Sequence, residues 1–224
     1  MEPLSWGEIF LRLAIQFIPV SLAVVIVFTF PLQVGLVSAL IGHERLSLAR
    51  GAALVTAFLG VVLAVGVVID SVDWRGVALA AATGSGISVT AITTSRLMRN
   101  HDAVTLTFYM TLGAALSALL AVLLWRGFVW PVTATGWLGA AITVVTFAAA
   151  ITFYFLGLAR IGAVRASILA NLEPVVTICA AVIILAERPT LIQLLGAAMI
   201  IGAIFFLHLH EVRGRAAMVL PRSR

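Results

Sequence analysis

Glu173 is the residue whose chemistry stands out, because it is the only ionisable side chain near the middle of a long apolar stretch. It interrupts the run from Ala166 to Ala186, which otherwise carries no charge. A carboxylate in hydrocarbon costs at least about 3 kcal/mol unless it faces a polar cavity or is protonated. Apolar surroundings favour the protonated form, which suits a group that takes up and releases a proton. A hydrogen-bonded glutamic acid that holds helices together is the structural alternative, and both interpretations stay open.

A proline follows this carboxylate, and a second proline occupies the matching place earlier in the chain. Pro174 lacks an amide N–H and leaves the carbonyl of Ala170 without its helical partner, as Pro31 does for Val27. Interrupted helices at corresponding positions in two halves of a chain point to a ligand site between them. A bend that only improves packing explains the same prolines equally well.

Polar side chains in other apolar stretches complete the set of candidate path residues. Ser88 lies among small and polar residues, whereas Thr146 and Tyr154 lie in the stretch 137–159. Such residues line a wet path or let helices approach closely, and close packing is the favoured explanation for Ser88.

Two polar residues near Glu173 are expected to have other roles. Asn171 stands about 200° away from Glu173 around a helix, so it cannot face the same cavity and is expected to bond neighbouring helices. Arg165 lies two turns away and is expected to extend its charge to the membrane interface. Steering of an anionic substrate is the alternative role for Arg165.

Patterns typical of enzymes, metal sites and nucleic-acid binding are missing from the sequence. His208 and His210 would point to different faces of a helix, so they and Glu211 do not predict a metal site. The single cysteine, Cys179, excludes an internal disulfide. We therefore expect no enzymatic activity, no cofactor, no bound metal and no nucleic-acid partner.

Composition places the chain in a lipid bilayer. Hydrophobic residues make up 62% of it, charged residues 10%, and the mean hydropathy is +1.18, far outside the range of soluble domains. Continuous apolar runs, without the alternation of barrel strands, predict an all-α polytopic transmembrane bundle. The seven predicted spans run at about 20–41, 51–69, 76–95, 103–125, 137–159, 164–186 and 190–209.

The arginines predict the orientation of this bundle. All fourteen basic residues are arginine, and with the C-terminus inside, ten of them lie on the cytoplasmic side and four outside. Trp74, Trp125, Trp130 and Trp137 then fall at the outer interface, where indole rings are common. We expect a multi-pass protein of the cell inner membrane with a cytoplasmic C-terminus.

The chain contains an internal duplication. Glu44-Arg45 and Glu187-Arg188 lie 143 residues apart, and the two prolines, Pro31 and Pro174, each lie thirteen residues before the glutamate of their pair. Five spans separate the two Glu-Arg pairs, which is an odd number, so the repeat is predicted to be inverted in the membrane.

The motifs of both halves resemble the EamA-type members of the drug/metabolite transporter superfamily. They are Leu172-Glu173-Pro174-Val175, Leu185-Ala186-Glu187-Arg188, Gly196 and Gly202 in the second half, and Phe30-Pro31-Leu32 and His43-Glu44-Arg45 in the first. The resemblance implies two units of five helices and a carrier of small metabolites, amino acids or drugs. Its partners would be a small-molecule substrate and the lipid bilayer, its mechanism alternating access, and Glu173 the candidate for proton coupling.

Against this family pattern the first unit is expected to be truncated. Residues 1–70 would hold the last part of a third helix and two further helices, 74–210 a complete second unit, and 211–224 a basic cytoplasmic tail. The first unit would have begun about 70 residues before Met1, and Leu11 to Ile18 would lie along the outer interface. An inactive or assembly-only membrane fragment, which would form a homo-oligomer, is the alternative function.

Overall fold

The computed structural model describes residues 6–42, 44, 46–66, 72–124 and 131–219, and these residues form helices and no strand. The helices are α1 (Trp6–Ala14), α2 (Val20–Val27), α3 (Phe30–Leu40), α4 (Leu48–Val65), α5 (Trp74–Leu97), α6 (Ala103–Leu124), α7 (Ala134–Ile161), α8 (Ala163–Ala170), α9 (Glu173–Leu185) and α10 (Leu191–Val219). The predicted all-α polytopic bundle is confirmed. Trp125 and Trp130, which are predicted at the outer interface, lie outside the described residues.

Six helical segments in the described residues are long and apolar enough to cross a membrane. They are Val20–Leu40, Leu48–Val65, Trp74–Leu97, Ala134–Ile161, Ala163–Leu185 and Leu191–Arg213. The seventh predicted span corresponds to α6, whose part Ala103–Ser117 is a shorter apolar helix. Many large apolar side chains on these helices are exposed, as expected for surfaces that face lipid.

Two of the spans are broken, and the breaks lie at matching positions. The helix α2 ends at Val27 and α3 begins at Phe30, while α8 ends at Ala170 and α9 begins at Glu173. In both cases a proline is the second residue of the new helix, where its missing N–H breaks the ladder of hydrogen bonds. Corresponding ends are 143 residues apart, the same offset as that of the Glu-Arg pairs.

The helices α4 and α10 pack tightly against each other through glycine. A Cβ atom added to Gly60 would lie 2.8 Å from the backbone oxygen of Gly196, closer than real Cβ atoms approach. The two backbones therefore touch directly, as small residues allow in membrane bundles. The short helix α1 packs within the bundle, with Ala14 and Ile18 against Gly76 of α5, a contact that the prediction of an interfacial stretch did not include.

Polar contacts tie the helices together at the end of the bundle where α4 begins and α10 ends. The Oε1 atom of Glu44 accepts a hydrogen bond of 2.7 Å from the backbone N–H of Ala163, at the start of α8. Ser47, and not Glu44, caps the N-terminus of α4, because its side chain accepts a hydrogen bond from the backbone N–H of Arg50. Gly162 makes room for the contact, since a Cβ there would lie 2.7 Å from Glu44 Oε1.

An ion-pair network lies at the same end. Glu211 Oε1 on α10 pairs with Arg50 on α4 at 3.0 Å and with Arg165 on α8 at 2.9 Å. The sequence assigned Arg165 to the interface or to an anionic substrate and did not predict this pairing. One carboxylate therefore links three helices.

Candidate functional site

A cavity of about 420 Å³ opens at the opposite end of the bundle, between α2, α4, α9 and the start of α10. Most of its wall is apolar. The polar residues that line it are Glu173, Thr177, Glu187, Arg188 and Gln193, and the apolar ones include Val24, Phe28, Ala64, Val65, Pro174 and Ile178. The space is within the size range of small-molecule sites, and its few polar groups could fix the orientation of a ligand.

The break between α8 and α9 places Glu173 on this cavity. As the first residue of α9 it lies at a helix N-terminus, where the helix dipole favours a negative charge. Its side chain is exposed, and within the described part of the chain no side chain or backbone group bonds its carboxylate. Its backbone oxygen accepts a hydrogen bond of 2.9 Å from the hydroxyl of Thr177. The carboxylate is thus available to a proton or to a cationic group of a ligand.

The break between α2 and α3 is closed by α5. The hydroxyl of Ser88 lies 3.1 Å from the backbone oxygen of Phe30 and 2.8 Å from that of Gly84. The amide Nε2 of Gln33 donates to the hydroxyl of Thr29 at 3.0 Å. Ser88 is buried, as is Pro31, and neither lines the cavity beside Glu173.

A third candidate polar site lies on the helices α7 and α8, where buried polar atoms lack a hydrogen-bond partner. The hydroxyl of Tyr154 and the Oδ1 atom of Asn171 have no hydrogen-bond partner among the described residues. The two helices meet at Gly162. Tyr154 lies eight residues before this glycine and Asn171 nine residues after it. In an antiparallel pair of helices these two side chains lie at a similar depth. An unsatisfied buried polar group costs about 1–3 kcal/mol, which a bound water or ligand would recover. The sequence assigned Asn171 to contacts between helices and did not single out this atom.

The six predicted path residues thus fall into several groups. Glu173 and Pro174 share the cavity, Pro31 and Ser88 share the first break, and Tyr154 lies half-buried against the core. Thr146 is exposed on α7 and its hydroxyl bonds the backbone oxygen of Ile142 at 2.8 Å, within its own helix. The structure therefore brings Glu173 and Pro174 together and separates Thr146 from them.

Comparisons with known proteins agree on the fold and the family. A solved structure described only as "Crystal structure of protein" matches with a TM-score of 0.75 at 24% sequence identity, over 91% of this chain and 71% of that chain, which shows a common fold. No curated protein matches the sequence. The sequence profile of the EamA-like transporter family matches residues 74–209, which is more than half of the chain. Together with its six apolar membrane-spanning helices, this match shows that the chain belongs to the EamA-like transporter family.

Proposed function

We propose that this protein moves a small molecule across the membrane by alternating access, with the cavity beside Glu173 as part of the path. The observation that carries the proposal is the pair of broken helices at matching positions, one of which presents to a cavity a carboxylate without a partner among the described residues. Such pairs are typical of carriers in which two related halves rock around a central site. Residues 74–210 would form the complete unit and residues 1–70 the part that precedes it.

The proposed orientation puts the C-terminus in the cytoplasm and the protein in the inner membrane, as the arginine distribution favours. The cavity then opens outward, because it contains Arg188 and Gln193 near the start of α10. The contacts of Glu44 and Glu211 lie at the inner end. This arrangement is that of an outward-open state, in which the inner contacts must separate before the path opens to the cytoplasm.

Glu173 would couple this movement to the proton or substrate that is bound in the cavity. Closing the cavity removes water from around the carboxylate, and a bare negative charge in an apolar space is strongly unfavourable. A proton or the cationic group of a substrate removes that penalty. Closure is then favoured only when one of them is bound, which is the condition for exchange of substrate against protons.

Transport in proteoliposomes with an imposed pH gradient tests this proposal, with a panel of radiolabelled amino acids and lipophilic amines as probes. Glu173→Gln should lower the rate of the transported probe at least about tenfold and abolish its pH dependence, since the amide does not titrate. Asp102→Asn removes an exposed charge outside the cavity and should change the rate less than about twofold. An unchanged pH dependence in Glu173→Gln would rule out the coupling role.

Assembly with a second copy is the other candidate, and it has its own observation. Ser85, Thr90 and Thr93 are exposed on α5, and polar hydroxyls on a lipid-facing surface favour contact with another helix. Light scattering of the full chain in detergent distinguishes the two functions. A transport-inactive dimer would support the assembly role, and a transport-active monomer would exclude it.

A further inference from the structure

A second cavity, of about 480 Å³, lies between α8 and α10, in the half of the bundle that carries the ion-pair network. It shares no residue with the cavity beside Glu173. Its apolar walls are formed by Ile161, Ile168, Leu169, Leu172, Ile201, Ile204, Phe205, Leu207 and Val212, and its polar residues are Arg165, His208 and Glu211. We call this space the α8–α10 groove.

The α8–α10 groove opens sideways, toward the surface that faces lipid. Leu169, Ile201 and Phe205 line it and are 41%, 51% and 60% exposed, so they are not covered by another described helix. The stretch from Ile201 to Val212 is roughly 16 Å long at the rise of an α-helix. This length and its apolar walls fit part of an acyl chain that lies along the bundle.

The polar residues lie at one end of the groove, and together with Arg50 of α4, which pairs with Glu211, they carry a net positive charge. Arg50 and Arg165 share the single carboxylate of Glu211. Arg165 uses only its Nε atom in this pair, and its two terminal nitrogens have no partner in the part of the chain that the structure describes. His208 lines the same end of the groove and is exposed.

We propose that the α8–α10 groove binds an anionic phospholipid. The acyl chain lies against the apolar walls, and the phosphate accepts hydrogen bonds from the terminal nitrogens of Arg165, with His208 beside it. A guanidinium fork suits phosphate oxygens, and basic pockets between transmembrane helices are known places for anionic headgroups. The long apolar wall favours a lipid over free phosphate, which would leave that wall unused.

Native mass spectrometry of the full chain, released from nanodiscs, tests the proposal. The discs contain equal amounts of phosphatidylglycerol and phosphatidylcholine with the same acyl chains. We expect at least about threefold more retained phosphatidylglycerol than phosphatidylcholine in the parent protein. Arg165→Gln should abolish this preference, and Arg165→Lys should keep part of it. The matched control is Arg160→Gln, which removes an exposed charge near the same end but outside the groove and should leave the preference unchanged.

A second variant keeps the test valid if loss of Arg165 disturbs folding. Leu169→Trp fills the groove from its exposed side without touching the ion pairs, and it should lower the retention of both lipids at least about twofold. Equal retention of the two lipids by the parent, or an unchanged preference in Arg165→Gln, would overturn the proposal. Displacement of the lipid by inorganic phosphate would also overturn it. So would a Leu169→Trp variant that dissociated a dimer and left lipid retention unchanged, because the groove would then bind a second copy of the chain.

Discussion

The two broken helices have the same backbone plan and opposite environments. At the first break Phe30 is 7% exposed and belongs to the core, and α5 covers the break with Ser88 and Gly84. At the second break the corresponding residue is Glu173, which faces a cavity. Because the first break is stable without a carboxylate, the interruption itself does not require one. The comparison predicts that Glu173 is not needed to form the interruption.

Exchanging the two side chains should give the largest effect. Phe30→Glu places a carboxylate in the core without a partner and should lower the free energy of unfolding by about 3 kcal/mol or more. Glu173→Phe should change it by less than about 1 kcal/mol, since that side chain faces open space. Unfolding of both variants in mixed detergent micelles measures the difference. Equal losses would mean that the two breaks are equivalent environments.

The close approach of α5 to the first break gives the next largest effect. A Cβ atom on Gly84 would lie 3.0 Å from the backbone oxygen of Val27, whereas one on Gly86 would meet nothing within 4 Å. Gly84→Ala should therefore destabilise the protein by about 1–2 kcal/mol. Gly86→Ala should stabilise it by up to about 1 kcal/mol, because alanine is the better helix former. Thermal unfolding of this matched pair in one detergent provides the measurement, and two changes of the same sign would contradict the packing argument.

The glutamates of the two Glu-Arg pairs should also differ in how much they stabilise the fold. Glu44 bonds the N-terminus of α8, whereas the carboxylate of Glu187 has no bond among the described residues. Glu44→Ala should cost about 1–2 kcal/mol through the lost cap and its charge. Glu187→Ala should cost less than about 0.5 kcal/mol. Chemical unfolding compares them, with Glu44→Gln as the variant that retains an acceptor and should recover part of the loss.

The smallest effect is expected at the hydroxyl that covers the first break. Ser88→Ala removes the hydroxyl that donates to the backbone oxygen of either Phe30 or Gly84. The loss should cost about 0.6–1 kcal/mol, the usual value for such a bond in membrane bundles. Ser117→Ala removes an exposed hydroxyl that bonds the backbone oxygen of Gly113 in its own helix at 2.8 Å, and it should be nearly neutral. The readout is again the midpoint of thermal unfolding, and a larger loss at Ser117 would show that α5 does not stabilise the break.

The sequence predicted most of the spans and indicated where both breaks lie, because each depends on local properties of the chain. Apolar length fixes the spans, and the missing N–H of Pro31 and Pro174 fixes the interruptions. The partner of Glu44 could not be predicted in the same way, because Ala163 is 119 residues further along the chain. The pairing of Arg165 with Glu211 likewise depends on how α8 and α10 pack. Composition around Glu173 indicated a candidate group, but only the packing of four helices shows that it faces a cavity.

The contacts of the two broken helices can form only in a fixed order while the chain is being synthesised. Ser88, which covers the break at Phe30, is made 58 residues later. At about 5–20 residues per second the first broken helix must wait roughly 3–12 s in the membrane before α5 can reach it. At the N-terminus of the second broken helix the order is reversed, since Glu44 is already present when Ala163 is made. The cap of α8 can therefore form as soon as α8 is made, whereas the first break lacks its cover until α5 is inserted.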